Sequence, residues 1–424
     1  MKAKSAKGEP ASDLRRVKTD TARLWSRLMA LAKIGATAKG GVNRPALSAP
    51  EIEAWRMVIG WAGQAGLEPS TDAAGNLFLA LPGADRAAAP VLAGSHLDTQ
   101  PTGGRFDGVY GVLAALETAT ALAEQGRRPM RDLIVVAWMN EEGSRFASGM
   151  MGSEAFAGLR SLDRIRAAVD AEGVSAGGAL DALHAAFPGL PRRPLGFPAF
   201  AYLEAHIEQG PILEAENRLI GIVTGIQGKK TFETVIEGCE GHAGTMPMGE
   251  RRDAVAVFAR MAGALAVELG DHDGLVKFTI GRLRVEPNAP SVVPARVTFS
   301  ADLRHPDDGV LTALGERFGT VCRREAAPCA VTVTPLVDAP SNDFDPALQA
   351  RIERVAAACG YPSMRLFSAA GHDARHLATL CPSAMIFIPC RSGISHAEAE
   401  WAECEHVGAG AAVLAASLAE LLWQ

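Results

Sequence analysis

The sequence predicts an α/β protein in two parts: a mixed, mostly parallel sheet covered by helices, and a smaller α+β segment inserted into it. Three observations carry this expectation. Apolar runs of strand length alternate with helical periodicity through the first half of the chain. Between about 230 and 335 the rhythm changes to strand, helix, strand, strand, helix, strand. The 424 residues, 48% of them hydrophobic, exceed what one small core organises and suffice for two.

Taken in order, segments 21–34 and 49–65 have helical periodicity, 76–81 and 91–95 read as strands, 110–125 as an apolar helix and 133–139 as a buried strand. Residues 188–198 form a Pro-rich connection before an ordered element resumes at 201–206. The inserted part contains strand 231–237, helix 252–269, strands 276–285 and 291–303, helix 310–325 and strand 330–334. This is a ferredoxin-like unit, in which two helices cover one face of a single sheet. The chain then returns to α/β patterning with helices 345–359 and 374–380, strand 384–388 and a final helix over 405–422. The expected division is 1–228 and 337–424 sharing one sheet, with 229–336 inserted.

Composition excludes several partners. A net charge of -6 without a dense Lys/Arg stripe gives no footprint for nucleic acid or an anionic membrane, and leaves a small soluble ligand. Residues 1–10 are basic but lead into no apolar stretch, so they do not read as a secretory signal. Apolar runs such as 408–422 are interrupted by Ser and Glu, and the expected location is the cytoplasm. Seven cysteines without a C-x-x-C spacing point to reduced thiols, with neither a disulfide framework nor a zinc finger. Cys390 is either a soft metal ligand or a small core residue.

Two strand ends carry the chemistry. The run 91–95 ends in His96-Leu97-Asp98 and leads to Asp107, while the run 133–139 ends in Asn140-Glu141-Glu142-Gly143. Ligands of parallel sheets gather beyond the carboxyl ends of the strands. Imidazole and carboxylate there suit hard or borderline divalent ions, and two such ions close together need a carboxylate between them. On an extended backbone His96 and Asp98 share a face, so Asp98 is placed to accept the second ring N–H of His96; a strand end with a satisfied polar pair is the other reading. Asp107, after Gly103-Gly104-Arg105-Phe106, is either a metal ligand or the N-cap of the next helix. Glu141 and Glu142 diverge as neighbours, one to hold metal and one to act as general base, unless they form a solvated acidic turn. His206 and His396 complete the set, though either alone is equally a structural histidine.

The motifs Gly94-Ser95-His96-Leu97-Asp98-Thr99, Asn140-Glu141-Glu142-Gly143-Ser144, His206-Ile207-Glu208-Gln209-Gly210-Pro211, Gly241-His242-Ala243-Gly244-Thr245, Asn288-Ala289-Pro290 and Gly393-Ile394-Ser395-His396 stand in the order seen in the hydantoinase/carbamoylase amidases. The resemblance to that family, a branch of the M20 dinuclear metallopeptidases, covers nearly all of the chain after about residue 20. It implies two divalent ions (Zn, Mn, Ni or Co) bridged by Asp107, one held further by His96 and His206, the other by Glu142 and His396. It implies Glu141 as the base, with Asp98 and His242 completing the catalytic set, His242 donating to the substrate carbonyl. Arg304 and Asn288 are implied to bind a substrate carboxylate, although a surface arginine and an ordinary turn asparagine are the plain alternatives. Gln209 and the Gly371-His372-Asp373 loop are implied to line the pocket, without a catalytic role for His372 or Asp373, which equally suit a helix entry.

The activity implied is hydrolysis of the ureido group of an N-carbamoyl amino acid, α or β, to the amino acid, carbon dioxide and ammonia. Allantoate amidohydrolase is the nearest competitor, and a non-catalytic metal- or ligand-binding homologue is the alternative of another class. The insertion is implied to serve as lid and homodimer interface. One departure stands out: Ala397-Glu398-Ala399-Glu400-Trp401 follows His396 where many relatives have Asn or His and then Pro.

Overall fold

The computed structural model describes residues 17–270 and 274–424. The segment 1–10 lies outside them. Chain contacts divide the protein into two compact units, Met1–Thr224 with Phe344–Gln424, and Gly225–Asp343. The second unit is wider than the expected 229–336, for a visible reason. Its last long strand runs on to Ala339, and Asn342–Asp343 pairs back onto Gly225 and Ile226.

Strands β1 (Glu68–Thr71), β2 (Leu77–Leu81), β3 (Val91–His96), β4 (Leu133–Trp138), β5 (Ala201–Ile207) and β6 (Ile220–Ile226) precede the second unit. Within it lie β7 (Gly228–Glu237), β8 (Gly241–His242), β9 (Lys277–Glu286), β10 (Val292–Val293), β11 (Arg296–His305), β12 (Ala330–Ala339) and β13 (Asn342–Asp343). Strands β14 (Ser363–Ser368) and β15 (Ser383–Ile388) follow it. The large sheet has the order β1-β2-β4-β3-β5-β15-β6-β13, with β14 on β6.

The middle of that sheet, β4-β3-β5-β15, is parallel, whereas β1, β2 and β6 join antiparallel. All residues of β3, β4, β5 and β15 are buried, as expected of strands covered on both faces. Helix Val109–Glu124 packs on β3 and β5, and Cys404–Leu422 lies against it. Cys404–Leu422 is long and apolar enough to cross a membrane, longer than the interrupted run read from sequence. Within this protein 72% of its apolar window is buried, and its Glu420 pairs with Arg354, as in a core helix.

In the second unit the sheet order is β12-β7-β11-β9, all antiparallel. Helices Ala254–Glu268 and Asp308–Arg324 cover one face, burying Val257, Met261, Leu265, Leu311, Phe318 and Val321 against Ile236, Val297, Phe299, Ala301 and Leu303. Along β11 burial alternates strictly, the period-two signature of a sheet packed on one side. The expected strand over 291–303 is two strands, because Pro294 lies between β10 and β11 and has no N–H for a ladder. The expected helix 374–380 is shorter, Ala374–Leu377.

Candidate metal centre

Four neighbouring parallel strands deliver the candidate residues from the same end. His96 is the last residue of β3, Glu141 and Glu142 follow β4, His206 is in the last turn of the β5 ladder opposite Phe387, and His396 lies on the chain that leaves β15. Ligand atoms of His96, Asp107 and His206 lie within 4.8 Å of one another, and so do those of Asp107, Glu142 and His396. Asp107 belongs to both groups. Its Oδ1 is 3.2 Å from His206 Nε2 and 3.7 Å from His96 Nε2, while its Oδ2 is 3.3 Å from His396 Nε2. Glu142 Oε2 is 3.4 Å from the same His396 nitrogen.

Local backbone makes this convergence possible. Gly108, at φ +64, caps the helix Val109–Glu124, and a Cβ there would sit 2.3 Å from the His96 ring. The cap is therefore Gly108, with no side-chain bond. Asp107 is not the N-cap that sequence offered as an alternative, and its carboxylate is free to turn into the cluster. His96 Nδ1 lies 3.0 Å from the Asp98 carbonyl oxygen and His206 Nδ1 2.9 Å from that of Ile207. Each Nδ1 faces a carbonyl oxygen, so each Nε2 is turned toward Asp107, and that of His206 also lies 3.2 Å from the Gly108 amide.

The Asp98 carboxylate does something other than expected. It stands 3.6 Å from His96 Nδ1, beyond a hydrogen bond, and accepts instead the backbone N–H groups of Glu141 and Glu142 at 3.2 Å. Those two amides at the turn after β4 are better donors to it than the ring, whose proton the Asp98 carbonyl takes. Asp98 thus holds the turn that carries both glutamates. Glu142 is also fixed by Gln100, which donates from its backbone at 3.1 Å and its side chain at 2.7 Å. Glu141 Oε2 sits 3.6 Å from His96 Nε2.

Electrostatics fit a cation. Burial raises the Glu141 carboxyl well above its usual range, against the pull of His96. Burial and Asp107 push Glu142 up to about 7. Burial works against charge on His96, yet Glu141 and Asp98 hold its pKa well above normal. A hydrogen bond to Asp107 raises His396 to about 9. Asp107, despite burial, is held well below normal by His206 and His396. Carboxylates packed this closely away from water stay ionised only beside positive charge, and imidazole Nε2 atoms beside them could hold a metal ion in place of those protons.

Other sequence candidates fall as follows. Gln209, at φ +57, donates to Asp107 Oδ2 at 3.0 Å and to Ser395 Oγ at 3.1 Å, so its amide is engaged by the centre itself. Gly371 follows β14, where a Cβ would meet Met150 Cε at 3.3 Å. His372 beside it is buried with its ring centroid 4.5 Å from that of His206. In the second unit His242 pairs across β8 to Val292, and its Nδ1 accepts from Gly244 N at 3.0 Å, which leaves Nε2 as the N–H donor. Asn288, at φ +57, stands in the turn after β9. Arg304 lies on the face of β11 away from the helices, with Nε 2.8 Å from Asp302 Oδ1. Cys390 is buried with its thiol pushed up to about 12 and belongs to none of the three candidate ligand groups, the third being Glu204, His206 and His372, so it is core.

Sequence reasoning missed Gln100, Glu204 and Glu400. Glu204 is buried two residues before His206 on the same strand face, and accepts from Ser95, Tyr202 and the Ala374 amide. The signal was available as an acid alternating with a histidine in an apolar strand. Glu400 accepts the amides of Phe106 and Asp107.

Imidazole and carboxylate donors of this kind, buried except for the half-exposed His396 and the partly buried Glu142, and gathered at a strand-end crevice with a spare carboxylate beside them, mark a divalent-metal-dependent hydrolase. The chain belongs to the peptidase family M20/M25/M40, which it matches over residues 92–420. It is 40% identical over 406 residues to an N-carbamoyl-L-amino-acid amidohydrolase of Rhizobium meliloti, covering 94% of this chain and 95% of that one. An allantoate amidohydrolase of Escherichia coli (strain K12) is 34% identical over 396 residues, covering 93% and 96%. The crystal structure of a hydantoinase/carbamoylase family amidase from Burkholderia multivorans superposes with a TM-score of 0.87 at 41% identity, over 96% of this chain and 99% of that one.

Proposed function

We propose that the enzyme hydrolyses the ureido group of an N-carbamoyl amino acid, R-NH-CO-NH2, with one water, to the amino acid, carbon dioxide and ammonia. The observation that carries the reading is Asp107, whose two oxygens face two different imidazole groups. In this reading His96 and His206 on one side, and Glu142 and His396 on the other, hold two divalent ions that share Asp107. The donor set, nitrogen and oxygen without thiolate, suits zinc, manganese, nickel or cobalt. Bound ions would supply Lewis acidity to a resonance-stabilised carbonyl and lower the pKa of water.

The chain's own residues do the remainder. Glu141, raised in pKa by burial and attached to no ligand group, takes the proton of the attacking water and returns it to the departing nitrogen. Asp98 keeps the Glu141–Glu142 turn in place through its two amides. The Nε2–H of His242 donates to the substrate oxygen as negative charge develops there. Arg304 and Asn288 bind the substrate carboxylate in this reading, and Gln209 and Gly371 belong to the substrate-binding residues of the first unit. The Gly225–Asp343 unit acts as lid and as the interface of a homodimer, which the mass in solution tests. All seven cysteines are free thiols, which accords with work in the cytoplasm.

The test is ammonia release from metal-loaded enzyme with N-carbamoyl α- and β-amino acids, allantoate and dipeptides. Turnover of a carbamoyl amino acid above the others is expected. Preference for allantoate would favour the second reading, which the Escherichia coli relative supports. Glu141→Gln is expected to lose about 10²–10⁴-fold in kcat with its metal content unchanged, and normal turnover would reject the base assignment.

A further inference from the structure

Beneath the shared carboxylate lies a clamp that the ligand set does not explain. Glu400 is 2% exposed. Its Oε1 accepts the backbone N–H of Phe106 at 2.9 Å and of Asp107 at 3.1 Å. Its Oε2 is 3.0 Å from Ser395 Oγ, which in turn lies 3.2 Å from Asp107 Oδ2. One side chain therefore reaches Asp107 at its backbone, and through Ser395 at its carboxylate when Glu400 Oε2 carries a proton for Ser395 Oγ, whose single hydroxyl hydrogen then goes to Asp107 Oδ2. Ser395 immediately precedes His396, so the same clamp ties the two segments that carry Asp107 and His396.

The surroundings are built around this side chain. Gly104 has no room for a Cβ, which would come within 2.0 Å of the Glu400 carboxyl. This accounts for the second glycine of Gly103-Gly104. On the other side Trp401, Phe106 and Trp25 pack in a ring triangle, with centroids 5.6 Å, 5.7 Å and 5.6 Å apart. The aromatic contacts fix residue 401 against residue 106, and so deliver the Glu400 carboxylate to the loop. A carboxylate is a strong acceptor for two amides at once, which suits it to hold a loop that also carries charge.

We propose that Glu400 is a positioning residue, acting with Ser395 to set the rotation of the Asp107 carboxylate so that each oxygen faces its own imidazole group. The inference rests on the reading of Asp107 as the shared ligand. Groups that orient metal ligands from behind typically change metal affinity by about 10–100-fold when removed. Glu400→Ala is expected to weaken binding within that range. Ser395→Ala removes only the hydroxyl link, and is expected to weaken binding without moving the unfolding temperature of the metal-free protein. Glu400→Gln keeps an oxygen for the amides and an N–H for Ser395, and is expected to restore most of the affinity.

The experiment titrates Mn2+ into the full-length metal-free wild type and these variants by calorimetry, with Asp107→Asn as reference, and records metal-free unfolding temperatures. Weakened binding in Asp107→Asn, Glu400→Ala and Ser395→Ala, with recovery in Glu400→Gln, supports the clamp. Wild-type affinity in both Ser395→Ala and Glu400→Ala, while Asp107→Asn binds poorly, overturns it and leaves the ligand reading intact. If Glu400→Ala does not fold, Ser395→Ala decides alone. Wild-type affinity in Asp107→Asn would overturn both.

Discussion

At the scale of single residues, the centre depends on what lies immediately behind each ligand. Gly108 is the clearest case, because its positive φ and its contact with the His96 ring each forbid a side chain. Gly108→Ala is expected to push His96 off its position and to lower metal content per chain, measured by elemental analysis, even where the protein folds. A fully loaded, folded Gly108→Ala protein would contradict the packing argument. His242 offers the converse test, since it lies outside both ligand groups. With its Nδ1 committed to Gly244, His242→Ala is expected to cut kcat by about 10²–10³-fold with metal content unchanged. The convergence of the candidate ligands was legible because ordered motifs carry them. Their supporting bonds were not. Whether Asp98 serves a ring or a turn, and whether Asp107 caps a helix, is decided by which donors the fold brings within 3.2 Å, and spacing along the chain does not contain that.

At the scale of elements, legibility followed burial only in part, since the largely buried β6 and the 11-residue helix Ala176–Ala186 were not read from sequence. Strands β3, β4 and β15, covered on both faces, read directly as apolar runs, and the amphipathic insertion read through its periods. The short edge strand β1, the half-exposed β14 and the brief helices Met151–Phe156 and Leu162–Arg166 did not, since each is too short to display a period. Helix Ala49–Gln64 shows how a local device can work against itself. Ser48 accepts from Glu51 N, and the Glu51 carboxylate accepts from Leu47 N, a capping arrangement that places an acid in the core. Burial and the nearby Asp98 raise Glu51 from 4.5 to about 8. The folded state therefore binds the proton more tightly than the unfolded chain. Stability from this group is complete below about pH 4.5 and is lost as pH rises through about 8. Glu51→Gln retains the acceptor and removes the slope. Its melting temperature is expected to match wild type near the lower limit and to exceed it near the upper one, and equal offsets at both would refute the assignment.

At the scale of the whole molecule, the two units differ in what a metal ion can do for them. Every residue of these two candidate ligand groups belongs to the first unit, His96 and His206 on strands β3 and β5, and Asp107, Glu142 and His396 on the segments that follow β3, β4 and β15. The second unit has its own apolar core between its sheet and its two helices. A ligand that binds only the folded form stabilises the unit that holds it, by about 2.7 kcal/mol at a hundredfold excess over Kd. For a unit of about 300 residues that is roughly 4 °C. Calorimetry of the full chain with and without Mn2+ is accordingly expected to show one transition that rises by this amount. A second transition, belonging to Gly225–Asp343, should stay where it is. Glu141→Gln should leave the shift intact because it removes no ligand, whereas Asp107→Asn should reduce it. A single transition that moves as a whole would mean that the two cores unfold together, and a metal-insensitive trace would remove the ion from the stability of the first unit altogether.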